Sequence, residues 1–178
     1  MIKEIIENFI PILVLFLDIV IVLYILGVIV EKVSGNKFMN SIRKFLKEDA
    51  LLFMFLIALV STLGSLFYSE IMGFNPCKLC WYQRIAMYPL VVLFGVGLIK
   101  KKDDVIKYSW PLVVIGGLVA LYHYVTQVLQ WTGTCGSLPT GTDCALRFTF
   151  HFGYMTIPMM ALTGFIGIFI LMKLRMRN

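Results

Sequence analysis

Residues 50–69 read ALLFMFLIALVSTLGSLFYS, twenty positions without a formal charge. At 1.5 Å of rise per residue such a helix is about 30 Å long, the thickness of a bilayer's hydrocarbon core. Four more stretches have this character: Phe9–Val30, Trp81–Ile99, Tyr108–Trp131 and Phe152–Met172. Only Asp18 and Arg84 carry formal charge inside the five runs. Prolines 11, 89, 111 and 158 lie in or near them, which lipid-embedded helices tolerate because neighbouring helices satisfy the freed backbone groups. Composition agrees: 60% of the 178 residues are hydrophobic and 15% charged, too apolar for a small water-soluble fold or for disorder.

The net charge of +6 does not point to nucleic acid, because the cations flank the apolar runs and form no stripe. Twelve of the sixteen Lys and Arg fall on alternate connections, at 31–49, 100–107 and the tail after 172. By the positive-inside rule these segments face the cytoplasm, and the N-terminus and the segments near 70–80 and 132–151 face away. The first run is too long for a secretory signal, follows Glu4 and Glu7, and lacks a small-x-small cleavage site, so it reads as a retained helix. Phe38, Met39, Ile42, Phe45 and Leu46 beside Arg43, Lys44 and Lys47 predict a short amphipathic helix at the membrane surface.

Cys77, Cys80, Cys135 and Cys144 are the four cysteines, and two spans separate the pairs, so both pairs emerge on one, oxidising face. An even count there suggests two disulfides. In NPCKLCWYQR, Asn75-Pro76 signals a helix start, with Cys77 at its beginning, Cys80 one turn in, and Arg84 on the same face. A helix N-terminus and a guanidinium both favour thiolate, the species that attacks disulfides or donates electrons. Cys135 and Cys144 bound TCGSLPTGTDC, a Gly-, Pro- and Thr-rich loop expected to be mobile and exposed. A bridge over so short a loop fits exchange better than stapling. Trp81 and Tyr82 pack beside an acceptor or serve as interfacial belt residues, and both readings stay open. His123 with Gln127 at i+4 is either a site pair or structural hydrogen bonding within the bilayer, while His151, between Phe150 and Phe152, reads as interfacial.

The fifteen residues PCKLCWYQRIAMYPL, from Pro76 to Leu90, together with the second cysteine pair, the charge pattern and four spans between about 50 and 172, resemble the disulfide bond formation protein B family of the DsbB/BdbC type. The resemblance implies a thiol:quinone oxidoreductase in a bacterial cytoplasmic membrane, its redox cysteines on the extracytoplasmic face. Such a protein reoxidises a DsbA-like thioredoxin-fold oxidase and passes the electrons to ubiquinone or menaquinone. It makes Cys77 and Cys80 the quinone-proximal pair with Cys80 nearer the ring, Arg84 the quinone-binding cation, and Cys135 and Cys144 the partner-facing pair. In YHYVTQ it brings His123 toward the quinone, with Gln127 beside it. Cys135 is then the sulfur attacked by the partner, and Cys144 the one that attacks the Cys77–Cys80 disulfide.

The expected fold is an all-α integral membrane protein: a four-helix bundle over 50–172, preceded by residues 1–49 with an extra transmembrane helix and basic connection, and followed by a basic tail, 173–178. That extra helix lies outside the resemblance. Its Asp18 pairs with a polar group of the bundle or faces another chain. Gln83 stands where some relatives carry glutamate, which removes a proton carrier. Among rival readings, four thiolates on zinc are disfavoured by the oxidising face, the C-x8-C spacing and the adjacent Arg84, so no metal is expected. A disulfide-stapled transport or binding protein is disfavoured because, apart from Asp18 and Arg84, the spans lack the ionisable groups that mark a solute path. In a vitamin K epoxide reductase-like protein the helix-borne C-x-x-C follows the loop pair, whereas here it precedes it.

Overall fold

The computed structural model describes residues 2–34, 39–132, 135 and 143–176. Among these, six α-helices and no strands are formed: α1 (Ile2–Ser34), α2 (Asn40–Glu48), α3 (Ala50–Leu66), α4 (Lys78–Lys100), α5 (Asp104–Val128) and α6 (Ile157–Met176), with α3 running on through a π-helical turn at Phe67–Ile71. All except α2 are long and apolar enough to cross a membrane, as the runs predict.

Helices α3 to α6 make the bundle, and its core is filled by Met54, Leu90, Phe94, Val113, Phe165 and Ile168. Large apolar residues such as Leu56, Ile85, Val92, Ile115 and Leu118 point outward, the arrangement expected where lipid is the solvent. Close approach depends on small residues. A Cβ at Gly116 of α5 would stand 2.8 Å from the Ala86 Cβ of α4 and overlap the Phe165 ring of α6, so three helices converge there because one position has no side chain. The α4–α5 turn takes three residues, with Lys101 in the left-handed region at φ 50° and Lys102 N–H closing onto the Gly97 carbonyl at 3.1 Å.

At the basic end, α2 is the predicted surface helix: Ile42 and Phe45 stay exposed, Met39 is buried before it, and Arg43 pairs with Glu31 of α1 at 3.0 Å. Arg175 of α6 bonds Asp103 and the Lys47 carbonyl, tying α2 to the bundle. Phe38 of the predicted surface helix lies outside the described residues, as do Thr134 and 136–142 of the cysteine loop.

One boundary needs correction. The apolar run from Phe152 suggested a helix there, but α6 starts at Ile157. Phe152 and Gly153 both have positive φ, 53° and 78°, and His151 bridges back to Met155, so the chain turns tightly before the helix begins, with Pro158 in its first turn. Asp18 finds its partners within the bundle: its carboxylate accepts hydrogen bonds from Thr163 Oγ1 at 2.7 Å and Tyr154 Oη at 3.0 Å.

Candidate functional site

Pro76 holds the chain extended, and Cys77, at φ −73° and ψ 174°, is the N-cap of α4, as the Asn-Pro signal predicts. Its carbonyl accepts the first bond of the helix, from Trp81 N–H at 3.2 Å. One turn in, the Cys80 sulfur lies 3.2 Å from that of Cys77, and both are free thiols. The bond with the Cys80 thiol is the largest influence on Cys77; burial opposes it and His123 adds to it, leaving the Cys77 thiol pulled down to about 4. The direction favours thiolate on Cys77, at a helix end whose dipole also favours negative charge.

Cys135 and Cys144 form a disulfide. Both are buried, contrary to the exposure expected from the loop's composition, and they cluster with Cys77. Burial follows from the flanking segment, which folds back on α5. Gln127 Nε2 donates to the Leu146 carbonyl at 2.8 Å, while Arg147 donates through Nε and Nη2 to the Gln127 carbonyl at 3.1 and 2.6 Å. Gln127 therefore anchors the chain that carries Cys144.

His123, buried on α5, stands between the two pairs. Its Nε2 is 3.5 Å from Cys77 Sγ and 3.2 Å from the Cys144 carbonyl, and its Nδ1 is 2.9 Å from Gln83 Nε2. A carbonyl only accepts, so Nε2 carries a proton; Nδ1 of the neutral ring then accepts from the Gln83 amide. Gln83, which the sequence marks only as a lost acid, thereby fixes the tautomer that aims an N–H at Cys77 and Cys144.

The ligand atoms of Cys77, His123 and Cys144 all lie within 4.8 Å of one another. With Cys144 in a disulfide this group offers two ligands, short of the four of a closed zinc site. The same closeness suits sulfur exchange.

On the other side of Cys80 a cavity of about 340 Å³ runs between α1, α3, α4 and α6, lined by Ser65, Cys80, Gln83, Arg84 and Tyr88 and otherwise chiefly apolar. Arg84 is buried, donating from Nε to Ser65 Oγ at 3.0 Å and from Nη2 to the Ser65 carbonyl at 3.1 Å, with its guanidinium 5.3 Å from the Trp81 ring centre. Among the described residues these partners are neutral, so the positive charge is held in place without being cancelled. The volume is that of a small-molecule site, and one polar cluster in an otherwise apolar space fits a quinone's carbonyl ring and hydrocarbon tail. Trp81 itself is half exposed and does not line the cavity; its contact there is with the Arg84 guanidinium. His123 and Gln127 do not line this cavity: they line a smaller one with Cys77, Cys80 and Asp143. His123, which the resemblance carries toward a quinone, stands in this structure beside the cysteine sulfurs.

Ser65 was not singled out by the sequence reading. The signal was present: Ser61, Ser65 and Ser69 recur every fourth residue in an apolar run, and all three line the cavity.

Comparison with known proteins agrees with this chemistry. The family described as disulfide bond formation protein DsbB matches residues 47–174. A probable disulfide formation protein C 1 of Bacillus anthracis is 43% identical over 122 residues, covering 68% of this chain and 88% of the relative. The disulfide bond formation protein C of Bacillus subtilis is 42% identical over 118 residues, covering 66% and 86%. A probable disulfide formation protein C of Halalkalibacterium halodurans is 42% identical over 135 residues, covering 74% and 96%. No solved structure gives a significant match. A chain whose cysteines gather at one end of five membrane-length helices, and whose sequence matches over most of its length, belongs to the disulfide bond formation protein DsbB family of membrane disulfide-forming oxidoreductases.

Proposed function

We propose that the protein reoxidises a DsbA-like, thioredoxin-fold dithiol on the extracytoplasmic side of a bacterial cytoplasmic membrane and delivers the electrons to a membrane quinone. One observation carries this reading: Cys80 lines the large cavity with Arg84, while Cys77, in contact with Cys80, stands beside Cys144.

The steps are exchanges through thiolate attack. A partner thiolate attacks Cys135, forming a mixed disulfide and releasing Cys144 as a thiolate. Cys144 attacks Cys77 of the oxidised Cys77–Cys80 pair, and Cys80 leaves as a thiolate. The partner's second thiolate takes back the partner sulfur from Cys135, leaving the partner oxidised. Cys135 then attacks Cys144, restoring their disulfide and freeing Cys77. The Cys77/Cys80 dithiol closes again with loss of two electrons and two protons.

Ser65, Arg84 and Tyr88 would hold the acceptor's polar end. When bound, a quinone supplies a two-electron, two-proton sink soluble in the bilayer. Arg84 stabilises negative charge at that end of the cavity, and its electrostatic effect is enlarged by the surrounding apolar walls. The Nε2–H of His123 stabilises thiolate on Cys77 and orients the Cys144 backbone.

Purified protein in lipid nanodiscs, given a reduced thioredoxin-fold oxidase and ubiquinone-1 or a short-chain menaquinone, should convert one quinone to quinol per dithiol oxidised. Dithiol oxidation at an undiminished rate without any quinone overturns the assignment.

A further inference from the structure

The family match begins at residue 47, so α1 lies outside it. Yet α1 forms one side of the cavity that holds Cys80 and Arg84, contributing Phe9, Leu13, Phe16 and Leu17 to its lining. The helix is seated at several levels. Near its start Lys3 Nζ donates to the Ile71 carbonyl at 3.1 Å, and at its far end Glu31 pairs with Arg43. Between these, Ile10 packs over Gly64 of α3, and Leu17 and Ile21 pack over Gly167 of α6; a Cβ at either glycine would be in van der Waals contact with them, at 3.9 and 3.8 Å. The helix therefore lies across the seam between α3 and α6, where its absence would leave the cavity's flank to lipid.

Asp18 fixes the rotation of α1 at this seam. Its two hydroxyl partners, Thr163 of α6 and Tyr154 just before it, come from the bundle, and Thr163 also lines the cavity. A carboxylate on an otherwise lipid-facing helix is costly unless it is bonded. Turning α1 by one residue, 100°, would break both bonds and carry Leu13 and Leu17 away from the cavity.

We propose that α1 is the lateral wall of the acceptor site and that Asp18 is the positioning residue that latches it there. Leu13 and Leu17 then flank the hydrocarbon part of an isoprenoid quinone whose ring lies toward Arg84. The wall limits which quinones enter and keeps lipid chains from competing for the space. This inference rests on the quinone reading given above.

The test uses the full chain in nanodiscs and a short-chain azidoquinone as photolabel, with adducts mapped by peptide mass spectrometry. Adducts are expected on the α1 peptide containing Leu13 and Leu17 and on the α4 peptide containing Arg84, both suppressed by excess ubiquinone-1. Asp18→Ala should weaken α1 labelling and raise the KM for ubiquinone-1 about fivefold, in keeping with loss of one to two hydrogen bonds, with kcat changed less than about twofold. Asp18→Asn, which keeps one acceptor oxygen and can donate its amide N–H to the other hydroxyl, should restore most of the labelling. Leu13→Trp, which fills the cavity without touching the latch, should reduce labelling of α4 as well. Adducts on α4 but none on α1, or both Asp18→Ala and Leu13→Trp indistinguishable from wild type, overturn the wall while leaving the quinone reading in place. Labelling of neither helix overturns both.

Discussion

Gln83 Nε2 lies 2.9 Å from His123 Nδ1, forty residues further along the chain and on the next helix. This bond leaves His123 Nε2–H free to face Cys77 and the Cys144 carbonyl, the place where electrons pass from one cysteine pair to the other on the proposed route.

Replacing Gln83 by Leu removes the donor and leaves Nδ1 buried without a partner, a loss of about 1–3 kcal/mol in local order. Exchange between the two pairs should slow about tenfold. Gln83→Glu, which offers Nδ1 an acceptor, should favour the opposite tautomer and fail to restore the rate. Rapid-quench thiol trapping after mixing with reduced partner measures this step, and unchanged exchange in Gln83→Leu would leave His123 a packing residue.

Cys77 in the reduced pair should remain a thiolate from neutral pH down to about pH 5 and lose that form only as pH falls through about 4. The sign follows from a lowered pKa: the charged form is present above it. Ultraviolet thiolate absorbance of the reduced protein measures the titration without a reagent having to reach the buried sulfur. Cys80→Ala removes the largest cause, so the midpoint should climb toward the ordinary thiol value of about 8.5. A midpoint near that value in the wild-type protein would contradict the hydrogen-bonded arrangement.

Arg84→Ala should raise the quinone KM by about tenfold or more, the worth of a charged hydrogen bond, while mixed-disulfide formation with the partner continues at its usual rate. Arg84→Lys should recover only part, because an ammonium cannot reproduce the planar contacts to both Ser65 oxygens and the Trp81 ring. Equal KM values for Arg84→Ala and wild type would return the guanidinium to a structural role.

Cys144→Ser leaves Cys135 without its resolving sulfur and should accumulate a long-lived mixed disulfide with an oxidised partner on non-reducing gels. Cys135→Ser should trap far less, since Cys144 is fully buried and held by the Gln127 anchor. Stronger trapping through Cys144 would reverse the order of electron flow.

The spans were legible because each apolar run has the length that the bilayer demands, and the start of α4 because Asn75-Pro76 is a local signal. The start of α6 was not, since Phe152 continues the apolar run while the backbone turns at Gly153, and hydropathy does not register backbone direction. The C-x-x-C and Arg84 were legible as neighbours on one helix. What joins them to the rest was not: Ser65 reaches Arg84 from α3, Gln83 meets His123 across α4 and α5, and Asp18 finds Thr163 from 145 residues away. Each depends on helix packing, which spacing along one helix does not encode. The burial of Cys135 and Cys144 escaped for a similar reason, because Gly, Pro and Thr describe the loop while Gln127 and Arg147, outside it, determine where its cysteine end sits.

Cys80 borders both cavities, whereas Cys77 borders only the smaller one. On the proposed route the sulfur pair is therefore a plug that conducts: electrons cross from one compartment to the other while the molecules that exchange them never meet. On that route a small thiol in water is joined to the acceptor through the sulfur pair, as the quinone is to the partner's cysteines. A reductant that opens the Cys135–Cys144 bond would enter that circuit, so on the proposed route insulation counts beside reactivity in what the protein oxidises.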